Sequence, residues 1–300
     1  MSNNSKIGTQ IKIAVASGKG GTGKTTIATS LAKILQSEKN ILIDCDVEAP
    51  NAHIFLKPQL TAFKDVSKAI PVIDKQKCTY CGKCAHACKF NAISISAKSK
   101  VALTFPNLCH ACGVCSYVCP ENAITEKSVK TGVLAKGNIS SNLVFANGHL
   151  EIGAAIATPV IHSLKKWAME EHTYQTILFD SPPGTSCSVV ETLRDADFVL
   201  LVTEPTPFGL HDLKLTIKLV QNLGKPAGII INRDGIGQAD IESLSNTENI
   251  PILARIPLRR DIAESLSEGN ILIEAFPEFT KDFNRILDTV EQTIHFREGK

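Results

Sequence analysis

The chain lacks a charge excess of either sign: 32 lysines and arginines stand against 30 aspartates and glutamates in 300 residues. A nucleic-acid binder carries a basic excess, so no nucleic-acid partner is expected. Also missing is any uninterrupted apolar stretch near the ~18 residues of a membrane helix. The polar start Met1-Ser2-Asn3-Asn4-Ser5 lacks the apolar core of an export signal. The expectation is therefore a cytoplasmic protein without membrane insertion. In a reducing compartment disulfides are disfavoured, so the ten cysteines point to metal ligation instead. With 43% hydrophobic and 21% charged residues the chain can bury a core, and its length suggests roughly two domains.

Eight of those ten cysteines form two matching runs, Cys78-x2-Cys81-x2-Cys84-x3-Cys88 and Cys109-x2-Cys112-x2-Cys115-x3-Cys119. Two thiolate quartets at this spacing fit two 4Fe-4S clusters. A zinc ribbon is the competing reading, but it uses two C-x2-C pairs and would not need a three-cysteine run followed by a fourth. The segment is an internal repeat, with Asn91-Ala92-Ile93 matching Asn122-Ala123-Ile124. His86 and His110 lie among the cysteines and read as surface residues or tuners of potential, since sulfur already fills each iron site.

Elsewhere short apolar strands alternate with amphipathic helices, which predicts a mostly parallel α/β sheet with helices on both faces. Strands are expected at 11–16, 41–44, 176–180, 198–203, 227–231 and 251–256. Helices are expected at 25–36, 208–223 and 261–268, with Gly224 and Pro226 stopping the second. Asn147-Gly148, between apolar segments 143–146 and 149–152, predicts a two-residue hairpin turn. Over 278–296, Phe279, Phe283, Ile286, Leu287, Val290 and Ile294 share one helical face. Its polar face mixes both signs of charge, which favours packing on the sheet over binding a membrane surface.

The motif Gly18-Lys19-Gly20-Gly21-Thr22-Gly23-Lys24-Thr25, followed by Thr26, satisfies G-x4-G-K-[ST] between a strand and a helix. Glycine allows backbone N–H groups to surround phosphates, Lys24 can neutralise their charge, and the Thr25 hydroxyl can ligate Mg²⁺. The second lysine, Lys19, makes the loop resemble the deviant Walker A motif of the MinD/Mrp/ParA and nitrogenase iron-protein superfamily. That resemblance implies ATP hydrolysis and a homodimer, or a pair with a closely related ATPase subunit. Lys19 would then reach the partner's phosphates as an arginine finger does. It also implies that Asp46 orients the attacking water, that Asp44 and Asp180 support Mg²⁺, that the Pro182-Pro183-Gly184 turn places an amide near the γ-phosphate, and that Asn232 contacts adenine.

The cysteine segment resembles bacterial two-cluster ferredoxins, apart from Lys89 where that family usually has proline. The resemblance implies that each run lends its last cysteine to the other cluster. Cys78, Cys81, Cys84 and Cys119 would hold one, and Cys109, Cys112, Cys115 and Cys88 the other. The expected organisation is an ATPase domain over 1–60 and 130–300 with a small α+β ferredoxin-like domain inserted at 72–127. Cys187 stands where the nitrogenase iron protein binds a cluster shared across its dimer, which would be a labile one here unless Cys45 or a partner protein adds ligands. The plain alternative for both residues is a small buried cysteine.

The function expected is ATP-driven dimer closure coupled to electron transfer through the two clusters, with a redox partner. The alternatives are an Mrp-like carrier delivering clusters to a client protein and an ATP-switched positioning module.

Overall fold

The computed structural model describes residues 10–171 and 173–298. The segment Met1-Ser2-Asn3-Asn4-Ser5, on which the expectation of no export signal rests, lies outside them. The strands are β1 (Ile11–Ala16), β2 (Asn40–Asp44), β3 (Gln59–Ile73), β4 (Ile93–Ser96), β5 (Val101–Thr104), β6 (Ile124–Asn138), β7 (Leu143–Leu150), β8 (Thr176–Asp180), β9 (Phe198–Thr203), β10 (Ala227–Asp234) and β11 (Ile252–Pro257). The helices are α1 (Lys24–Ile34), α2 (Ala52–Leu56), α3 (Lys83–Ala87), α4 (Val114–Tyr117), α5 (Thr158–Ala168), α6 (Cys187–Leu193), α7 (Pro207–Asn222), α8 (Ile241–Glu248), α9 (Arg260–Ser267), α10 (Leu272–Ala275) and α11 (Thr280–Glu298).

Among the described residues one sheet of nine strands runs in the order β11-β10-β9-β1-β8-β2-β7-β6-β3. From β11 to β7 every neighbouring pair is parallel. Every residue of β2, β8 and β9 is buried, which requires cover on both faces and explains why the interiors of these strands are unbroken apolar runs. The fold is the expected mostly parallel α/β sheet. Helix α7 starts at Pro207 behind Thr206, whose hydroxyl accepts from Gly209 N at 3.0 Å, and it stops before Gly224 at φ 66°. On α11 the expected apolar face, Phe283, Ile286, Leu287, Val290 and Ile294, joins the main core with Phe279 just before it. Each such side chain contributes about 1.5–3 kcal/mol by its burial, so this helix serves the core. No helix among the described residues is long and apolar enough to cross a membrane.

The expected hairpin at Asn147-Gly148 does not form. Both residues lie inside β7, buried, and neither takes the positive φ that the turn requires. The strand pairs with β2 through Asp44↔Asn147, so sheet pairing overrides the local turn preference of the dipeptide.

The chain divides into two compact units. One comprises the described residues up to Phe63, Leu134–His149 and the residues from Ile161 onward; the other comprises Lys64–Val133 and Leu150–Val160. Within the second unit β4 and β5 pair antiparallel, and Cys84, Ile93 and Ile124 form a small core joined by Ile73, Ile95, Cys115, Val118 and Cys119. The sequence repeat reappears in the backbone. Tyr80, Gly82 and Asn91 have φ of 57°, 76° and 53°, and their counterparts Ala111, Gly113 and Asn122 have 54°, 70° and 48°. Two non-glycine residues of each half thus hold the left-handed conformation, which L residues adopt only when the surroundings enforce it.

Candidate functional site

In a parallel sheet the carboxyl ends of the strands gather polar side chains, because the backbone stops pairing there and loops take over. Here the ends of β1, β2, β8 and β9 bring together Ser17, Asp44, Asp180 and Glu204. The loop from Ser17 to Gly23 joins β1 to α1, with Gly21 at φ 77° and Gly23 at φ 97°. A Cβ on Gly23 would meet Asn232 Nδ2 at 2.3 Å, so only glycine fits. That amide has a job of its own: Nδ2 donates to Thr22 O at 2.7 Å, and Oδ1 accepts from Arg233 N at 3.0 Å. Asn232 therefore braces the loop from β10, a role that sequence reading did not give it.

Lys24 is buried, and its Nζ donates to Ser17 Oγ at 2.9 Å. Burial holds this ammonium below the usual lysine range, while Asp180 and Asp46 draw it back up. Thr25 and Thr26 begin the first turns of α1. The Thr25 hydroxyl lies 2.7 Å from Asp180 Oδ2 and 2.9 Å from Asn51 Oδ1.

Asp44 and Asp180 face each other in the register of β2 and β8, and both are buried. Three backbone amides, of Asp46, Asn51 and Ala52, donate to Asp44 at 3.0–3.1 Å. Even so, burial first and the charge of Asp180 second push the Asp44 carboxyl well above its ordinary range. Burial raises Asp180 to about 6, with the Thr25 hydroxyl and Lys24 opposing the rise. Asp180 Oδ1, though buried, has no hydrogen-bond partner. A desolvated carboxylate pair with an orphan oxygen and an adjacent hydroxyl is the hard oxygen donor set that Mg²⁺ takes, so the residues fit that ion. Half-buried Asp46 accepts from Ala49 N at 3.3 Å at the start of the following loop.

The segment after β8 is tied to β1 and to the start of the phosphate loop: Ser181 N donates to Val15 O at 3.0 Å and Gly184 N to Ser17 O at 2.9 Å. Lys19, the second lysine of the loop, is engaged within its own chain. Its Nζ lies 2.7 Å from Glu204 Oε2, while Arg233 Nη1 lies 2.6 Å from Glu204 Oε1. Glu204 is 3% exposed and sits just past β9. Sequence reading used the acidic strand-end signal for Asp44 and Asp180 but not for Glu204, where the same signal was present.

In the second unit the cysteines sort themselves four and four. One small cavity is lined by Cys78, Cys81, Cys84 and Cys119. The other is lined by Cys88, Cys109, Cys112 and Cys115. In each half two backbone amides point at sulfur. Tyr80 N and Ala92 N approach Cys78 and Cys88 Sγ at 3.4 and 3.3 Å, and Ala111 N and Ala123 N approach Cys109 and Cys119 Sγ at the same distances. Such amides stabilise thiolate charge, and the left-handed residues 80, 91, 111 and 122 belong to these same turns. All eight are free thiols. Among the described residues no three His, Cys, Asp or Glu converge as they would on one ion. Exposed His110 stacks on Phe90, centroids 3.7 Å apart, and His86 is exposed.

Cys187 opens α6 and is exposed, not the small buried cysteine of the plain alternative. Cys45 is fully buried, and burial pushes its thiol far up, which suits packing rather than ligation.

With the geometry in view, comparison with known proteins adds the following. The profile of the CobQ/CobB/MinD/ParA nucleotide binding domain matches residues 13–273. An uncharacterised protein of Methanocaldococcus jannaschii is 32% identical over 96% of this chain and 99% of its own length. The cytosolic Fe-S cluster assembly factor NUBP2 of Mus musculus is 23% identical over 94% of this chain and 90% of its own. Among solved structures, the septum site-determining protein MinD of Pyrococcus horikoshii, complexed with Mg-ADP, superposes with a TM-score of 0.57. It is 19% identical, over 95% of this chain and 97% of that one.

Proposed function

Because the chain belongs to the CobQ/CobB/MinD/ParA nucleotide-binding family, we propose that it hydrolyses ATP and couples dimer closure to electron transfer through two 4Fe-4S clusters held by its cysteine segment. The observation that carries this reading is the sorting of eight cysteines into two separate cavities in a chain that also builds a phosphate loop. In it, the loop amides and Lys24 bind the triphosphate, the Thr25 hydroxyl and Asp180 hold Mg²⁺ with Asp44 behind them, and Asp46 orients the attacking water. Bound Mg²⁺ would supply charge neutralisation on the β- and γ-phosphates. Lys19 leaves Glu204 and crosses to the partner's phosphates. The clusters would supply one-electron redox chemistry.

Anaerobic iron and sulfide analysis tests the reading: about eight irons per chain are expected. ATP should also shift the reduction potential of the clusters, and reduction should shift ATP affinity by the same factor, because linkage is reciprocal. An absence of coupling in both directions would refute it.

A second reading, delivery of clusters to a client protein, is supported by the exposed Cys187 and by the likeness to the mouse Fe-S cluster assembly factor. Iron beyond eight per chain that disappears in Cys187→Ala would favour delivery; equal iron in both proteins would favour electron transfer.

The Lys19–Glu204 ion pair gives a further prediction. Glu204→Gln keeps the shape but removes the charge that holds Lys19 and Arg233. Dimer formation should then need less ATP, by about 3- to 10-fold, because a buried charged partner no longer competes for the lysine. Sedimentation across an ATP titration measures this, and an unchanged or raised requirement would remove Glu204 as a latch.

A further inference from the structure

From Lys75 to Pro120 the chain contains no aspartate or glutamate, yet it contains six lysines, Lys75, Lys77, Lys83, Lys89, Lys98 and Lys100. All six are exposed. Among the described residues the one of these within ion-pair distance of a carboxylate is Lys77, 4.0 Å from Asp74. A chain with an overall charge of +2 thus carries six positive charges and no negative one between Lys75 and Pro120, with Asp74, Glu121 and Glu126 just outside.

The same segment exposes apolar surface in an ordered way. On β5 the alternation is inverted: Val101 and Leu103 are 40% and 50% exposed, while Ala102 and Thr104 between and beyond them are half-buried. The register sets Val101 and Leu103 opposite Ser96 and Ser94, so the outward side of the β4–β5 hairpin is apolar along β5. Phe105 and Leu108 follow at 42% and 48% exposure, and Phe90, 40% exposed, lies against His110. Phe90 and His110 also line the cavity of Cys88, Cys109, Cys112 and Cys115, where Cys112 is exposed and Glu126 is the one lining carboxylate. Lys98 and Lys100 occupy the hairpin turn and Lys89 adjoins Phe90. Apolar patches rimmed by charge are rarely left uncovered.

We propose that this lysine-flanked apolar face is the docking surface for an acidic redox protein, which exchanges electrons with the centre held by Cys88, Cys109, Cys112 and Cys115. The proposal rests on the two-cluster reading and names the partner for it. One electron leaves the partner's reduced flavin or iron-sulfur centre, which is oxidised, and enters this centre, which is reduced; no bond or proton moves. Electron transfer weakens steeply with distance, so the edge of the cavity must face the partner. Charge selects an acidic protein and speeds the encounter. Nucleic acid is the less favoured occupant. The chain has no arginine before Arg194, so the segment lacks the planar guanidinium side chains that grip phosphates bidentately.

The test uses the full chain, loaded anaerobically, with a small acidic 2Fe-2S ferredoxin as the probe and oligothymidylate as the competitor. The expected results are binding that weakens about tenfold or more from low to moderate salt, a further tenfold loss in the double variant Lys98→Glu/Lys100→Glu, and a several-fold loss in Leu103→Ser, with iron content and visible spectrum unchanged. Iron-loaded protein that ignores the probe, binds it without salt dependence or is unaffected by the charge reversals overturns the surface. So does preference for oligothymidylate, or a face covered by self-association in sedimentation. Iron-free protein that still binds the probe with this salt dependence overturns the cluster reading instead and leaves the surface standing.

Discussion

Lys24→Ala is expected to lower ATP turnover by about 100- to 1,000-fold, the loss typical when one preorganised charge on a transition state is removed. The reason lies in how the side chain is held. Its ammonium is buried, donates to Ser17 Oγ at 2.9 Å, and sits in the fields of Asp180 and Asp46. A shortened side chain leaves those carboxylates facing the triphosphate without the cation between them. The β- and γ-phosphates would then be repelled where they are now neutralised. The second effect is on binding: the thermal stabilisation given by Mg-ATP should vanish, while the protein without nucleotide stays folded, because the main core does not include Lys24. Turnover and melting curves with and without nucleotide measure both. Turnover kept within a few-fold of the parent would show that the triphosphate sits elsewhere.

The other large effect concerns iron. Cys119→Ser and Cys81→Ser lie in different runs of the sequence but line the same cavity. Each should lose about four irons of eight, and the double variant should lose no more than either alone, since a second ligand removed from an empty site removes nothing further. Cys119→Ser combined with Cys112→Ser, whose residues line different cavities, should lose nearly all eight. If clusters followed the runs instead, Cys119 and Cys112 would behave as one site and Cys119 and Cys81 as two. Iron analysis with electron paramagnetic resonance of the reduced protein distinguishes the two patterns.

The elements that could be read from the sequence are those whose burial is nearly complete. β1, β8 and β9 appear with the expected ends because an apolar run covered on both faces leaves little ambiguity. β3 and β6 were not visible, because most of their residues are at least partly exposed and their lysines and threonines break the alternation that marks a strand. Asn147-Gly148 was misread for a related reason: its neighbours in the sheet, not its local preference, set its conformation. In the nucleotide site the motif residues were legible from spacing alone. The partners that hold them were not, since Asn51, Glu204 and the bracing amide of Asn232 come from segments far away in the sequence, after β2, after β9 and on β10. The cysteine spacing was legible as two quartets, whereas their exchange of last members rested on resemblance, because a run does not reveal which cavity its final residue enters.

The buried pair Asp44 and Asp180 has a consequence for the lifetime of the protein. Two carboxylates forced out of water side by side leave the ligand-free chain less stable than its core would allow, and a nucleotide bound with Mg²⁺ as proposed would relieve that strain by mass action. Open, protease-sensitive forms should therefore be most populated when Mg-ATP is scarce.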